Sequence, residues 1–298
     1  MNAPALEPEY DPRLVEAAVL AAVTGRAEGR EFHAERDPLY EIVEPESREA
    51  AFTLFHARWF ERLALDRPFY EILPQCPEIG TRCRRWLVAR ARSGRDEAAD
   101  LLVAAPSAPP TLLVRVTPET VAAPERLRLL LRRELLHVSD MLDPRFAYEP
   151  TLPEGTAGGA RERVVRDNYR ILWAAYVDGR LLRAGRLPAA ARAERFGEFV
   201  RAFPHLGEAA EGEFERFFDA TERTHAELLA FASGGLADAS APRCRLCNLP
   251  THVFEPAPEM LPREVLSAIT RDFPSWRSPD GLCRRCAELY ASRVAMSP

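Results

Sequence analysis

Lysine is absent from this sequence. All 40 basic residues of the 298-residue chain are arginine, as mutational bias in a GC-rich genome would produce, and that gap excludes whole classes of chemistry. Without an ε-amine there is no Schiff base, no anchor for pyridoxal phosphate and no phosphate-cradling G-K-[ST] loop. G-x-S-x-G and G-x-G-x-x-G are missing too. No run reaches the ~18 uncharged apolar residues that a membrane span needs. The opening "MNAPALEPEYDP" lacks the charged-then-apolar order of a signal peptide, so a cytoplasmic protein with no membrane association is expected. The net charge of −5 disfavours a broad basic surface for nucleic acid, although local patches stay open. Six histidines and six cysteines carry most of the remaining options.

What is present suffices for a full core: 47% of the residues are apolar, enough for one large domain and an appendage. Residues 1–10 read as a flexible arm. Asp11-Pro12 and Glu44-Pro45 are helix starts, a capping side chain followed by proline at the first helical position. Phe52, Phe55, Trp59 and Leu63 repeat at helical spacing, with His56 on the same face as a core histidine. Residues 84–92 look helical, and the arginine-rich run 82–95 reads as a solvated helix face. Contact with phosphates or an acidic partner is the other reading of that run. Residues 99–105 and 111–117 read as strands separated by "PSAPP". Helices are predicted over 124–142, 160–185, 188–203 and 208–233. The fold class is therefore α+β, predominantly helical. A main domain is expected over 11–235, a linker over 236–241 and a separate module over 242–298. Cys76 and Cys83 read as buried thiols, since a disulfide is disfavoured in a reducing compartment.

The strongest chemical signal is Cys244-Arg-Leu-Cys247 with Cys283-Arg-Arg-Cys286. Two C-x-x-C pairs suit tetrahedral zinc, and four thiolates close the coordination shell, so the metal would be structural. Neighbouring arginines favour the thiolate forms. "GLCRRCAELYASRV" puts the second pair at a helix N-terminus, where the dipole favours anionic sulfur. The arrangement resembles a treble-clef or ribbon-type zinc finger. The 35 residues between the pairs exceed a ribbon's usual spacing and leave room for a helix at "LPREVLSAITRDF". Such modules dock proteins, peptides or nucleic acid, so zinc alone names no partner.

A second pattern lies in "LRLLLRRELLHVSDMLDP", residues 127–144. Glu134 and His137 fall on the apolar stripe of this helix, and a buried carboxylate without a partner costs several kcal/mol. The order of strands, E-x-x-H helix and backing helix with an inward acid resembles the small gluzincin-type zincins over residues 99–185. That resemblance implies zinc held by His137 and Asp178, with Glu134 as general base for hydrolysis of a peptide or amide bond. Arg133 stands where the family has its first histidine ligand, and a guanidinium cannot bind zinc. The resemblance therefore implies a pseudoenzyme in which Arg133 replaces the charge of a lost second metal.

Three rival readings stay open. Glu134 and His137 can be a satisfied polar pair locking two helices. Glu222 and His225 form a second E-x-x-H, and with Glu61 and Glu162 they would complete a ferritin-like di-iron site. Asp140 and Asp143 would extend a ligand row, or Asp143 simply ends the helix before Pro144. His33, His205 and His252 fall in loop-like contexts. A non-enzymatic adaptor docking through the zinc module is the competing function.

Overall fold

The computed structural model describes residues 6–105, 108–150, 159–234, 242–249, 251 and 253–295. The chain divides into two compact units, Met1–Asp143 and Pro144–Pro298. It is predominantly helical with one small mixed sheet, as the α+β expectation requires.

In the first unit, β1 (Pro8–Tyr10) is followed by α1 (Pro12–Val23), α2 (Gly29–Arg36), α3 (Pro45–Arg62), α4 (Arg67–Ile72) and α5 (Pro77–Arg82). Then come β2 (Arg85–Arg90), β3 (Ala98–Leu102), β4 (Thr111–Val116), α6 (Pro118–Val121) and α7 (Pro124–Leu142). The helix starts read from the sequence hold. Asp11 accepts the Arg13 N–H at 2.9 Å with Pro12 in the first turn, and Glu44 caps α3 by accepting from Glu46 and Ser47.

Two sequence readings need correction here. Residues 84–92 are not helical: β2 occupies 85–90 and lies parallel to β1 and β4, with β3 antiparallel on the outer side of β4. Trp86 and Val88 are buried while Arg85, Leu87 and Ala89 are more exposed, so exposure alternates with a period of two until the strand ends at the exposed Arg90. The arginine-rich run is thus a half-buried strand rather than a solvated helix face. Residues 8–10, read as part of a loose arm, form β1 in register with Trp86–Val88, and Arg85 pairs with Glu9 across it.

The sheet's buried face carries Trp86, Val88, Leu112, Val114 and Val116. Leu127, Leu131, Leu135 and Val138 of α7, spaced by four, four and three, join the same core. Phe32, Phe55, Trp59 and Phe60 close another side, with His56 buried at 4% exposure.

The second unit is built on α8 (Gly159–Arg183), α9 (Ala190–Ala202), α10 (Ala210–Phe218) and α11 (His225–Ala232), then α12 (Arg263–Asp272) and α13 (Arg284–Ala295). Residues 208–233 are not one helix. α10 stops at Phe218, where the Arg183 guanidinium takes the Phe218 and Ala220 carbonyls at 2.7 and 2.5 Å. The chain then turns and restarts at Thr224, which forms a capping box with Glu227. α8 and α10 touch backbone to backbone at Gly179: a Cβ there would lie 1.7 Å from the Phe218 carbonyl oxygen. Only glycine permits that crossing.

Candidate metal centre

The first cysteine pair sits on a tight turn. Cys244 N–H donates to Leu249 O at 3.0 Å, and Asn248 N–H donates to Cys244 O at 2.9 Å. Closing the turn puts Asn248 at φ 55°, a left-handed conformation that asparagine tolerates better than most residues. The Arg243 guanidinium staples it by donating to Asn248 O at 2.9 Å. The second pair is delivered by a short antiparallel bridge between Phe254 and Cys283, with Glu255 N–H donating to Leu282 O and Arg284 N–H to Val253 O. Cys283 immediately precedes α13 and Cys286 lies in its first turn, so the positive end of the helix dipole faces both sulfurs.

All four cysteines are buried, and their sulfurs lie within 4.8 Å of one another. Cys244 Sγ is 3.8 Å from Cys286 Sγ, and Cys247 Sγ is 3.9 Å from Cys283 Sγ. Four sulfurs at ~2.3 Å from one tetrahedral ion have edges of about 3.8 Å, so the cage has the dimensions of a metal tetrathiolate. Backbone donors already point at the sulfurs: Leu246 N–H and Cys283 N–H at Cys244 Sγ (3.4 and 3.2 Å), and Cys286 N–H at Cys283 Sγ (3.4 Å). Such bonds disperse thiolate charge. Hydrogen bonds from Cys247, Cys283 and Cys286 hold the Cys244 thiol far below its usual range, while contact with Cys244, together with burial, pushes Cys247 and Cys286 up. Four buried sulfurs cannot all ionise without a cation, and a divalent ion removes that conflict.

Around the cage, Val265, Ile269, Trp276, Leu282 and Tyr290 form a small buried core. The helix predicted between the pairs is α12. Its last residue, Asp272, accepts from Tyr290 Oη at 2.7 Å, Arg293 at 2.6 Å and Arg163 of α8 at 3.2 Å. Burial raises the Asp272 pKa, but these three donors outweigh it and hold the carboxyl below its ordinary value. Arg285 of α13 pairs with Asp167, also on α8. The cysteine segment is thus tied to α8 by two charged contacts.

The residues singled out for a second site fall in both units. Glu134 and His137 lie on α7 and are half-buried, as is Arg133. Glu134 Oε2 accepts the Ala99 N–H at 3.0 Å, so this carboxylate anchors the start of β3. Asp178 on α8 is fully buried and accepts from Arg195 Nε at 2.7 Å. Burial opposes the charged guanidinium of Arg195, yet Asp178 and Glu198 outweigh it and raise its pKa. Asp140 is buried, and Asp143 is the C-cap of α7, the helix-ending role open to it from the sequence.

The di-iron reading fails on local structure. Glu222 lies in the turn before Thr224 and His225 is the first residue of α11, so the two do not share a helical face. His225 Nδ1 is 2.7 Å from Tyr169 Oη, Glu162 pairs with Arg166, and Glu61 is exposed on α3. His33 is exposed on α2 rather than in a loop, and His205 lies in a 3-10 turn. His252 and the linker 236–241 lie outside the described residues. Among the described residues, the grouping of three or more metal-ligating side chains is the four-cysteine cage. Asn248, which shapes that cage, escaped the sequence reading although an asparagine directly after a C-x-x-C pair marks a left-handed turn.

Searches against family models, curated proteins and solved structures give no match to this chain. The resemblance to gluzincin-type zincins therefore has no support from a relative. No helix among the described residues is long and apolar enough to cross a membrane.

Proposed function

We propose that this chain is a zinc-binding protein that acts by binding a partner rather than by metal-assisted hydrolysis. Cys244, Cys247, Cys283 and Cys286 hold one Zn²⁺ as a structural ion. The observation that carries this reading is the cage itself, four buried sulfurs at tetrahedral-edge separations with backbone N–H groups already aimed at them. Four sulfur ligands leave no position for an activated water, so the ion would stabilise the fold around it. The core it would staple, between α12 and α13, is too small to be well supported by apolar burial alone.

The zincin reading asks Glu134 and Asp178 to serve a second metal. The bonds from Ala99 N–H to Glu134 and from Arg195 to Asp178 support structural roles for both carboxylates instead. Zinc-module docking of a protein or peptide is accordingly the favoured function. Six free thiols, four of them reserved for metal, suit a reducing compartment such as the cytoplasm.

Elemental analysis of purified protein tests the proposal. One zinc per chain, lost in Cys247→Ser and Cys286→Ser, is the expected result. Iron at the same stoichiometry would replace zinc but keep the site, because both metals take tetrahedral sulfur. A chain that binds no metal under reducing conditions, or keeps it in both variants, would overturn the proposal.

A further inference from the structure

The first unit carries a hollow of about 250 Å³ lined from β1, α1, α3 and the start of α4. Val15 of α1 and Phe60 of α3, both buried, give it an apolar floor. Tyr10 and Tyr70 add aromatic rings, with Tyr10 held edge-on to Phe60 at 5.1 Å between centroids. Glu61 and Asp66 contribute two carboxylates, and no arginine joins the lining.

The arginines nearest in sequence leave that charge standing. Arg62 is taken by Glu31 and Glu35, Arg67 by Glu71 and Arg85 by Glu9. Arg13 and Arg58 are exposed and do not line the hollow. Asp66 holds the N-cap position of α4, where an aspartate ordinarily accepts a backbone N–H, yet it makes no such bond. Burial, followed by the charges of Asp66, Glu7 and Glu61, holds the Tyr70 phenol above its ordinary pKa, so three acids act on this one ring.

These groups are also within reach of a ligand. Glu61 is exposed, Asp66 is half-buried and Tyr70 is 47% exposed. Free carboxylates beside aromatic rings and an apolar floor suit a cation with a hydrocarbon body, and the modest volume restricts it to a compact one.

We infer that this hollow binds an alkylammonium ion. The ammonium would sit by Glu61 and Asp66 and against the ring of Tyr70, with the hydrocarbon body on Phe60 and Val15. The chain has no lysine, so no lysine side chain of its own, or of a second copy, can fill the site. The ammonium must come from outside, as a free amine or as the lysine side chain of another protein.

Titration of the full-length chain with n-butylammonium at low ionic strength tests this, read by calorimetry or ligand-observed NMR. The expected Kd is about 1 mM or tighter. 1-Butanol, with the same body and no charge, and butyrate, with the opposite charge, should bind far more weakly. Glu61→Gln/Asp66→Asn removes both charges at nearly constant shape and should weaken binding about tenfold. Tyr70→Leu should weaken it about threefold, whereas Tyr70→Phe keeps the ring face and the affinity. The Tyr70 pair carries the test if the double variant fails to fold. Nα-acetyl-lysine-N-methylamide separates the two sources: affinity matching n-butylammonium assigns the site to a lysine side chain, and exclusion assigns it to a free amine. No binding at about 10 mM n-butylammonium, equal binding of 1-butanol, or affinity unchanged in the folded double variant would overturn the inference. Metal content should stay the same in every variant, so either result leaves the zinc proposal untouched.

Discussion

Cys244 and Cys286 stand 42 residues apart in sequence and bring their sulfurs to 3.8 Å. No hydrophobic packing demands that approach, and it crowds groups that repel once ionised. A bound metal ion would make it favourable. Trp276, 5% exposed and donating from Nε1 to Gly281 O at 3.1 Å, reports on the outcome. Stripping the ion with a strong chelator should red-shift tryptophan emission and open residues 242–295 to protease. Trp276→Phe should remove the spectral change but not the cleavage.

Arg133→His recreates the spacing of a two-histidine zinc helix, and under the present proposal it should change nothing in metal content. Glu134 remains bonded to Ala99 N–H and Asp178 to Arg195. Elemental analysis should still give a single zinc per chain. A second, His137-dependent ion would restore the peptidase-like reading.

Asp178 and Arg195 form a nearly buried pair, with side-chain exposures of 1% and 18%. Removing only the acid strands a guanidinium, and Asp178→Ala should cost about 2–3 kcal/mol, below the range for fully buried pairs because Arg195 keeps some solvent. Urea titration would measure it. An Asp178→Leu/Arg195→Met chain should recover much of the loss.

Gly179→Ala tests the α8–α10 crossing. With the Phe218 carbonyl oxygen 1.7 Å from the new Cβ, the helices must separate, and a loss of about 3 kcal/mol follows from overpacking. Gly212→Ala on α10 has nothing within 4 Å and should stabilise by about 0.5–1 kcal/mol through helix propensity. Opposite signs for the two changes, read from melting temperatures, would confirm that the contact decides the outcome.

Burial depresses the pKa of His56 and of His225, against weaker opposing pulls from Glu16 and Glu149 respectively. A depressed histidine is neutral in the fold, so the unfolded chain binds more protons once pH drops below the ordinary histidine value. Stability from these residues is present above about pH 6.5 and declines as pH falls toward their folded values. Melting temperature should drop between about pH 7.5 and 5.5, and the decline should flatten in His56→Gln and in His225→Gln. The buried Cys83 thiol, pushed up to about 11 by desolvation, should resist alkylation across the same range.

Local signals were legible in the sequence, and non-local ones were not. Asp11-Pro12 and Glu44-Pro45 act within one turn, so α1 and α3 could be placed from composition alone. The spacing of the C-x-x-C pairs likewise announced the cage. β2 was misread because Arg82, Arg84, Arg85 and Arg90 resemble a charged helix face until Trp86 and Val88 are seen to alternate against β4. The break between α10 and α11 had a signal in Thr224 and Glu227, a capping pair inside what looked like one continuous helix. Tyr10, Glu61 and Tyr70 come from three separate elements, and nothing in the neighbourhood of each betrays a shared hollow.

α8 runs for 25 residues, ~37 Å at the helical rise. Near its start, Arg163 and Asp167 address the cysteine segment; near its end, Asp178, Gly179 and Arg183 address α9 and α10. The two sets are locked in angular phase along one rod. A single residue inserted between 169 and 177 would swing one set about 100° against the other, so it should abolish both grips at once. Seven inserted residues would nearly restore the phase while lengthening the rod by about 10 Å, which makes span and rotation separable by design.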